Sequence, residues 1–210
     1  MVASATILPA ASHAARSGGV NLSNVKLNAH WKQGWLTASV HFTVTSSGPA
    51  TLVATVRPVA PGPVAAVGHY TFSQAGSKSE SLKLPARLLP RDYVLKVGDA
   101  TARFTVPTPP EGVVDSAIVS TTPSGPAAHA VPAVKTLYVR FHFLVPPPGA
   151  KQVKIEWRTP SFTFVGAVTK PYATTVVSSL SSGSPLPAGT WYAILMVGGK
   201  IAKEQDVRVG

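Results

Sequence analysis

Residues 36–58 read LTASVHFTVTSSGPATLVATVRP, and residues 137–159 read LYVRFHFLVPPPGAKQVKIEWRT. The two stretches align without a gap at an offset of 101 residues. Leu36/Leu137, His41/His142, Phe42/Phe143, Val44/Val145, Gly48/Gly149 and Arg57/Arg158 are identical. Leu36, Ala38, Val40, Phe42 and Val44 fall on one face, while Thr37, Ser39, His41 and Thr43 fall on the other. That period of two is the mark of a strand in a sheet with one wet side.

Working outward, each half later carries a Leu-Pro turn, an aromatic-led strand, a Gly and a closing strand. These are LLPRDYVLKVGDATARFTV (88–106) and PLPAGTWYAILMVGGKIAKEQDVRV (185–209). A repeat of this length means two copies of one small domain, so most recurring residues serve the scaffold. The first copy reads as seven strands, at 22–30, 35–45, 50–58, 64–72, 78–84, 92–98 and 101–106. The second reads as seven more, at 113–121, 136–145, 151–158, 162–168, 174–181, 190–197 and 200–209. Gly and Pro punctuate them, and Gly198-Gly199 is a hairpin turn between strands. The stretch 122–134 is expected to be a long loop, and the proline-rich 107–112 an extended, semi-rigid linker. The domains are thus 21–106 and 113–210, preceded by 1–20.

Composition agrees. Charged residues are only 13% of the chain, against about 25% in a typical domain, and Val, Thr, Ser, Pro and Gly suit twisted strands and tight turns. No apolar run reaches the 18 or so residues of a membrane span. The net charge of +11 arises because acids are few (eight), and the 19 Lys and Arg are spread singly. No basic cluster or aromatic–basic platform points to specific nucleic-acid binding, although a polyanion or glycan partner fits the charge. Cysteine is absent, which removes disulfides, thiolate catalysis and zinc–thiolate sites. At the N-terminus, Ser12-His13-Ala14 satisfies the small-x-small rule of an export cleavage site, without a basic n-region and with Pro9 interrupting the apolar stretch. Residues 1–20 therefore read as a truncated export signal, a disordered tail or an extended arm.

Seven short antiparallel strands per copy predict an all-β fold of two tandem immunoglobulin-like sandwiches. Trp157 on the third strand, inward with Val153 and Ile155, stands where this fold commonly buries a tryptophan. Tyr93, just after Leu89-Pro90, stands where a tyrosine corner bonds back to the turn; its counterpart is Trp191 or Tyr192. With the Leu-Pro-Ala-Gly-Thr-Trp turn (186–191), the chain resembles tandem immunoglobulin-like or fibronectin-III-like modules of bacterial exported and surface proteins. The resemblance covers roughly residues 20–210 and implies an extracellular or envelope scaffold, with no catalytic residue carried over.

Residues patterned for chemistry are few. The six His lack helical i, i+4 spacing, and His41 and His142 read as polar residues on a half-exposed sheet. No D-x-D-x-D-G loop, G-x-S-x-G elbow or phosphate loop occurs. Glu156, alternating with Lys154 and Arg158, reads as a cross-strand salt-bridge partner. All asparagines (21, 24 and 28) lie on the first strand, so a Lys–Asn crosslink cannot be a repeated feature. The expectation is a non-enzyme, with no catalytic, cofactor or metal residue.

Two regions exceed their structural need. In 191–197 (WYAILMV) both faces are apolar, with Tyr192, Ile194 and Met196 where a wet face should carry polar groups. They expect burial within the molecule or docking to another protein or another copy. Trp31 and Trp35, flanking Lys32-Gln33-Gly34, either cap the core or stack on a sugar. The leading function is an extracellular or cell-surface structural or adhesive protein working by protein–protein contact. The alternative is a carbohydrate- or anionic wall-polymer-binding module.

Overall fold

The computed structural model describes residues 19–32 and 35–210. The proposed export signal at Ser12-His13-Ala14 and the turn residues Gln33 and Gly34 lie outside them. The chain forms two compact units, Met1–Pro107 and Thr108–Gly210, and among the described residues all regular elements are strands.

The first unit holds β1 (Val20–Lys32), β2 (Trp35–Ser46), β3 (Ala50–Pro58), β4 (Ala66–Phe72), β5 (Gly76–Leu84), β6 (Arg91–Val97) and β7 (Ala100–Val106). The expected seven strands are all present. One sheet has the order β1-β2-β5 and the other β4-β3-β6-β7. In an immunoglobulin constant domain the fourth strand joins the sheet of the first, second and fifth. Here β4 pairs antiparallel with β3 instead, the strand order of a fibronectin-III-like sandwich. Alternation decides what fills the space between: Leu36, Ala38, Val40, Phe42 and Val44 are all buried, as are Val56, Tyr93 and Phe104. They join one core with residues from both sheets. β1 is longer than its sequence suggested and carries a bulge between Ser23 and Lys26, where Asn24 adopts a φ of 52°. Asn tolerates that left-handed conformation better than most residues.

The second unit holds β8 (Val113–Ser120), β9 (Ala130–Val131), β10 (Thr136–Val145), β11 (Gln152–Arg158), β12 (Phe164–Pro171), β13 (Thr175–Ser181), β14 (Gly189–Val197) and β15 (Lys200–Val209). Its sheets run β13-β10-β8 and β12-β11-β14-β15-β9. The strand order repeats that of the first unit, with one addition. The expected loop 122–134 contains β9, which pairs parallel with β15 through Ala130–Arg208 and Val131–Val209. Two residues show no readable alternation, so only the partner strand reveals them. Leu137, Phe141, Phe143, Ile155, Trp157 and Val207 are buried in the second core.

The repeat extends to aromatic packing. Phe42 meets Tyr70 edge-on at 5.6 Å between ring centroids, and Phe143 meets Tyr172 edge-on at 5.3 Å. The segment read as an extended linker is bent: the Gly112 N–H donates to the Pro109 carbonyl at 2.9 Å, and Gly112 takes a φ of 71°. A Cβ there would lie 2.7 Å from the Val145 carbonyl oxygen, so glycine is required.

Candidate interaction surface

β14 lies inside its sheet, between β11 and β15. Trp191, Ala193, Leu195 and Val197 enter the second core. The other face carries Tyr192, Ile194 and Met196. Ile194 is buried (2% exposed), in register with Glu156 on one side and Glu204 on the other. Tyr192 and Met196 are half-buried, beside Arg158 and Lys154 respectively.

Glu156 organises this face. Only 8% exposed, its carboxylate accepts from Lys154 Nζ at 2.7 Å and from Arg158 Nη2 at 3.2 Å. Both partners are on β11 itself, two residues either way, so the expected cross-strand bridge is a same-strand one. A strand places residues i and i+2 on one face about 7 Å apart, within reach of long side chains. The Lys154 hydrogen bond holds the Glu156 carboxyl below the usual glutamate range. Burial opposes that shift, while the Arg158 hydrogen bond and the two positive charges reinforce it.

Arg158 links this group to an aromatic cluster. Its guanidinium lies 4.8 Å from the Phe162 ring centroid, and Nη1 donates to the Phe162 carbonyl at 3.3 Å. The Phe162 ring meets Tyr192 edge-on at 5.1 Å. Phe162 takes a φ of 62°, unusual for a bulky residue. A tight loop holds it there: the Phe162 N–H donates to Thr159 O at 2.8 Å and the Thr159 N–H to Thr163 O at 2.9 Å. Phe164, opposite Arg158 on β12, is 53% exposed, and Phe162 and Val165 are exposed as well. Phe162, Phe164 and Tyr192 thus form an aromatic patch beside the outermost strand of the sheet.

Sequence reasoning singled out Tyr192, Ile194 and Met196 but not Phe162, Phe164 and Val165. The signal was SFTFV (161–165), an uncharged run with two aromatics where a turn into an edge strand should be polar. Trp31 and Trp35 are not brought together. Trp31 is half-buried against the first core and donates Nε1–H to the Pro107 carbonyl at 3.1 Å, which is capping geometry. Trp35 is 58% exposed, opposite Lys32.

The two corner residues are settled by their bonds. Tyr93 donates its hydroxyl to Leu89 O at 3.0 Å, and Trp191 donates Nε1–H to Pro187 O at 2.9 Å. Both reach back four residues, so Trp191 rather than Tyr192 is the counterpart of Tyr93. His142 Nδ1 lies 2.7 Å from Asp115 Oδ1, and His41 Nε2 lies 3.0 Å from Ser39 Oγ. Among the described residues no three His, Asp or Glu side chains gather as a metal site would need, and no helix is long and apolar enough to cross a membrane.

No protein-family model matches the chain, and no curated protein matches it. Among solved structures it is similar to the crystal structure of the chicken CNTN1 FN1-FN3 domains, at 10% identity and a TM-score of 0.33 over 89% of this chain. The chain spans 65% of the length of that structure.

Proposed function

We propose that this chain is a non-enzymatic scaffold of the extracellular space or cell envelope that works by protein–protein contact. Its docking surface is the outer face of β12, β11 and β14, and its partner there is a second copy. The observation that carries the reading is the aromatic patch of Phe162, Phe164 and Tyr192, held partly by a strained loop, on a sheet face where polar residues are the norm. β12 ends its sheet, and residues 164–169 carry no charge. Two such edges can pair about a twofold axis without opposing like charges. Glu156 also offsets one of the two cations beside it, Lys154 and Arg158, which lowers the repulsion between two copies there despite a net charge of +11. Export rests on the resemblance to surface modules, and protease shaving of intact cells should remove the protein.

Sedimentation equilibrium tests the contact. The wild type should form dimers that strengthen as salt screens the net charge. Phe164→Lys and Tyr192→Lys should weaken association at least tenfold with unchanged melting temperature. A wild type that stays monomeric at millimolar concentration and high salt overturns the reading.

A further inference from the structure

The two units put different chemistry on equivalent sheets. At the 101-residue offset, Arg57 stands where the second unit has Arg158, but Thr55 stands where it has Glu156. Arg158 is therefore neutralised by a carboxylate on its own strand, and Arg57 is not. Among the described residues the ion pairs are His142–Asp115, Lys154–Glu156 and Arg158–Glu156. Arg57, Lys96 and Arg103, all exposed, take part in none of them.

Register gathers these three cations on the outer face of the β4-β3-β6-β7 sheet. Arg57 pairs with Val94, and Val94 with Arg103; Lys96 pairs with Thr55 and with Thr101. Adjacent strands lie about 4.8 Å apart and alternate residues about 7 Å apart. The backbones of Arg57 and Arg103 are then about 10 Å apart, with Lys96 about 8 Å from each. Thr51, Thr55, Arg57, Lys96 and Thr101 line a shallow depression of about 610 Å³. The carboxylates nearby are Asp92, which accepts the Thr105 hydroxyl, and Asp99 in the turn after β6.

We propose that this face binds a linear glycan or polyol polymer bearing phosphate or sulfate groups, and not a nucleic acid. The proposal concerns a different unit from the contact above and does not rest on it. Three cations outside any ion pair, interleaved with threonine hydroxyls, outnumber Asp92 on the same face and supply charge and neutral donors to oxyanions. They are spread over an open face rather than converging on one point, which fits anions spaced along a chain better than a single small ion. The apolar groups among them are Val53, Val67 and Val94, with no Phe, Tyr or Trp ring for nucleobases to stack on.

The test is fluorescence anisotropy of the full chain with labelled heparin oligosaccharide, poly(glycerol phosphate) and poly(dT), from 50 to 300 mM salt. Heparin or poly(glycerol phosphate) should bind, and which of them binds tighter distinguishes the sulfate from the phosphate source. Log Kd should rise with log salt at a slope of about 2–3, as counterion release predicts for three contacts. Arg57→Gln and Lys96→Gln should each weaken binding about three- to tenfold. Thr55→Glu, which installs the second unit's carboxylate, should weaken it more than tenfold with unchanged melting temperature. The paired control Lys200→Gln with Lys203→Gln should stay within twofold of wild type. The proposal is overturned if the control loses as much as the face variants, since affinity then follows net charge alone. It is equally overturned if folded Thr55→Glu and Lys96→Gln keep full affinity, if poly(dT) binds tightest, or if no probe binds at 50 mM salt.

Discussion

Tyr93 and Trp191 show how one position can change chemistry and keep its task. Each is the third residue of the sixth full-length strand of its unit, buries its ring and sends one donor to the carbonyl four residues back. Tyr93→Phe removes the hydroxyl, which donates to Leu89 O and accepts from Arg91 Nε at 3.3 Å, and should cost about 0.5–1.5 kcal/mol for each hydrogen bond lost. Trp191→Phe should cost more, because the lost pyrrole ring also leaves a cavity; urea denaturation measures both. Glu156 makes the stability of the second unit depend on pH. Its folded pKa is lowered, chiefly by the Lys154 hydrogen bond, so its contribution is fully present above the ordinary glutamate value of about 4.3. That contribution should drain away as the pH falls through the lowered folded value. Glu156→Gln should therefore melt lower than wild type at pH 7 and converge on it in acid. Parallel melting curves at both ends of the range would sink this account.

At the level of elements, alternation in β2 and β10 carries the two cores. Phe42→Ala and Phe143→Ala should each cost about 3–5 kcal/mol by chemical denaturation, as large-to-small core changes do. Near-neutral results for both would mean that neither ring anchors its core. The β14–β15 hairpin depends on Gly198 and Gly199, with φ of 56° and 79°, where two successive left-handed residues match the twist of the strands. β14 differs from β6 in its outward face: β6 carries Val94 and Lys96, whereas β14 carries Tyr192, Ile194 and Met196. Burying side chains of this size is worth about 1.5–3 kcal/mol each, and the half-buried Tyr192 and Met196 retain part of that for a partner.

On the scale of the whole molecule, each core cluster draws its residues from one unit. Fragments 19–107 and 108–210 should therefore each fold alone, with sigmoidal melting followed by circular dichroism. A fragment that unfolds gradually would show that its core is incomplete. The net charge of +11 should also give the two proposed surfaces opposite responses to salt. Self-association through the partly neutralised patch strengthens as repulsion is screened, while polymer binding through Arg57, Lys96 and Arg103 weakens.

The all-β class, the strand count of the first unit and the inward faces were legible in the chain because side-chain direction alternates along a strand whatever lies beside it. Leu36 to Val44 could be sorted into wet and dry sides without knowing any partner. The two-residue β9 was not legible, since it exists only through its pairing with β15. Nor was the choice of Trp191 over Tyr192 as corner residue, which a one-residue difference in the turn left open until the bond to Pro187 was seen. The surfaces divide in the same way. Local hydropathy marked Tyr192, Ile194 and Met196, but the edge-on contact of Phe162 with Tyr192 joins residues thirty positions apart. Likewise, the gathering of Arg57, Lys96 and Arg103 comes from three strands in register. Face is a property of the local backbone; neighbourhood on that face is set by hydrogen-bond register between distant segments, and only the folded chain specifies it.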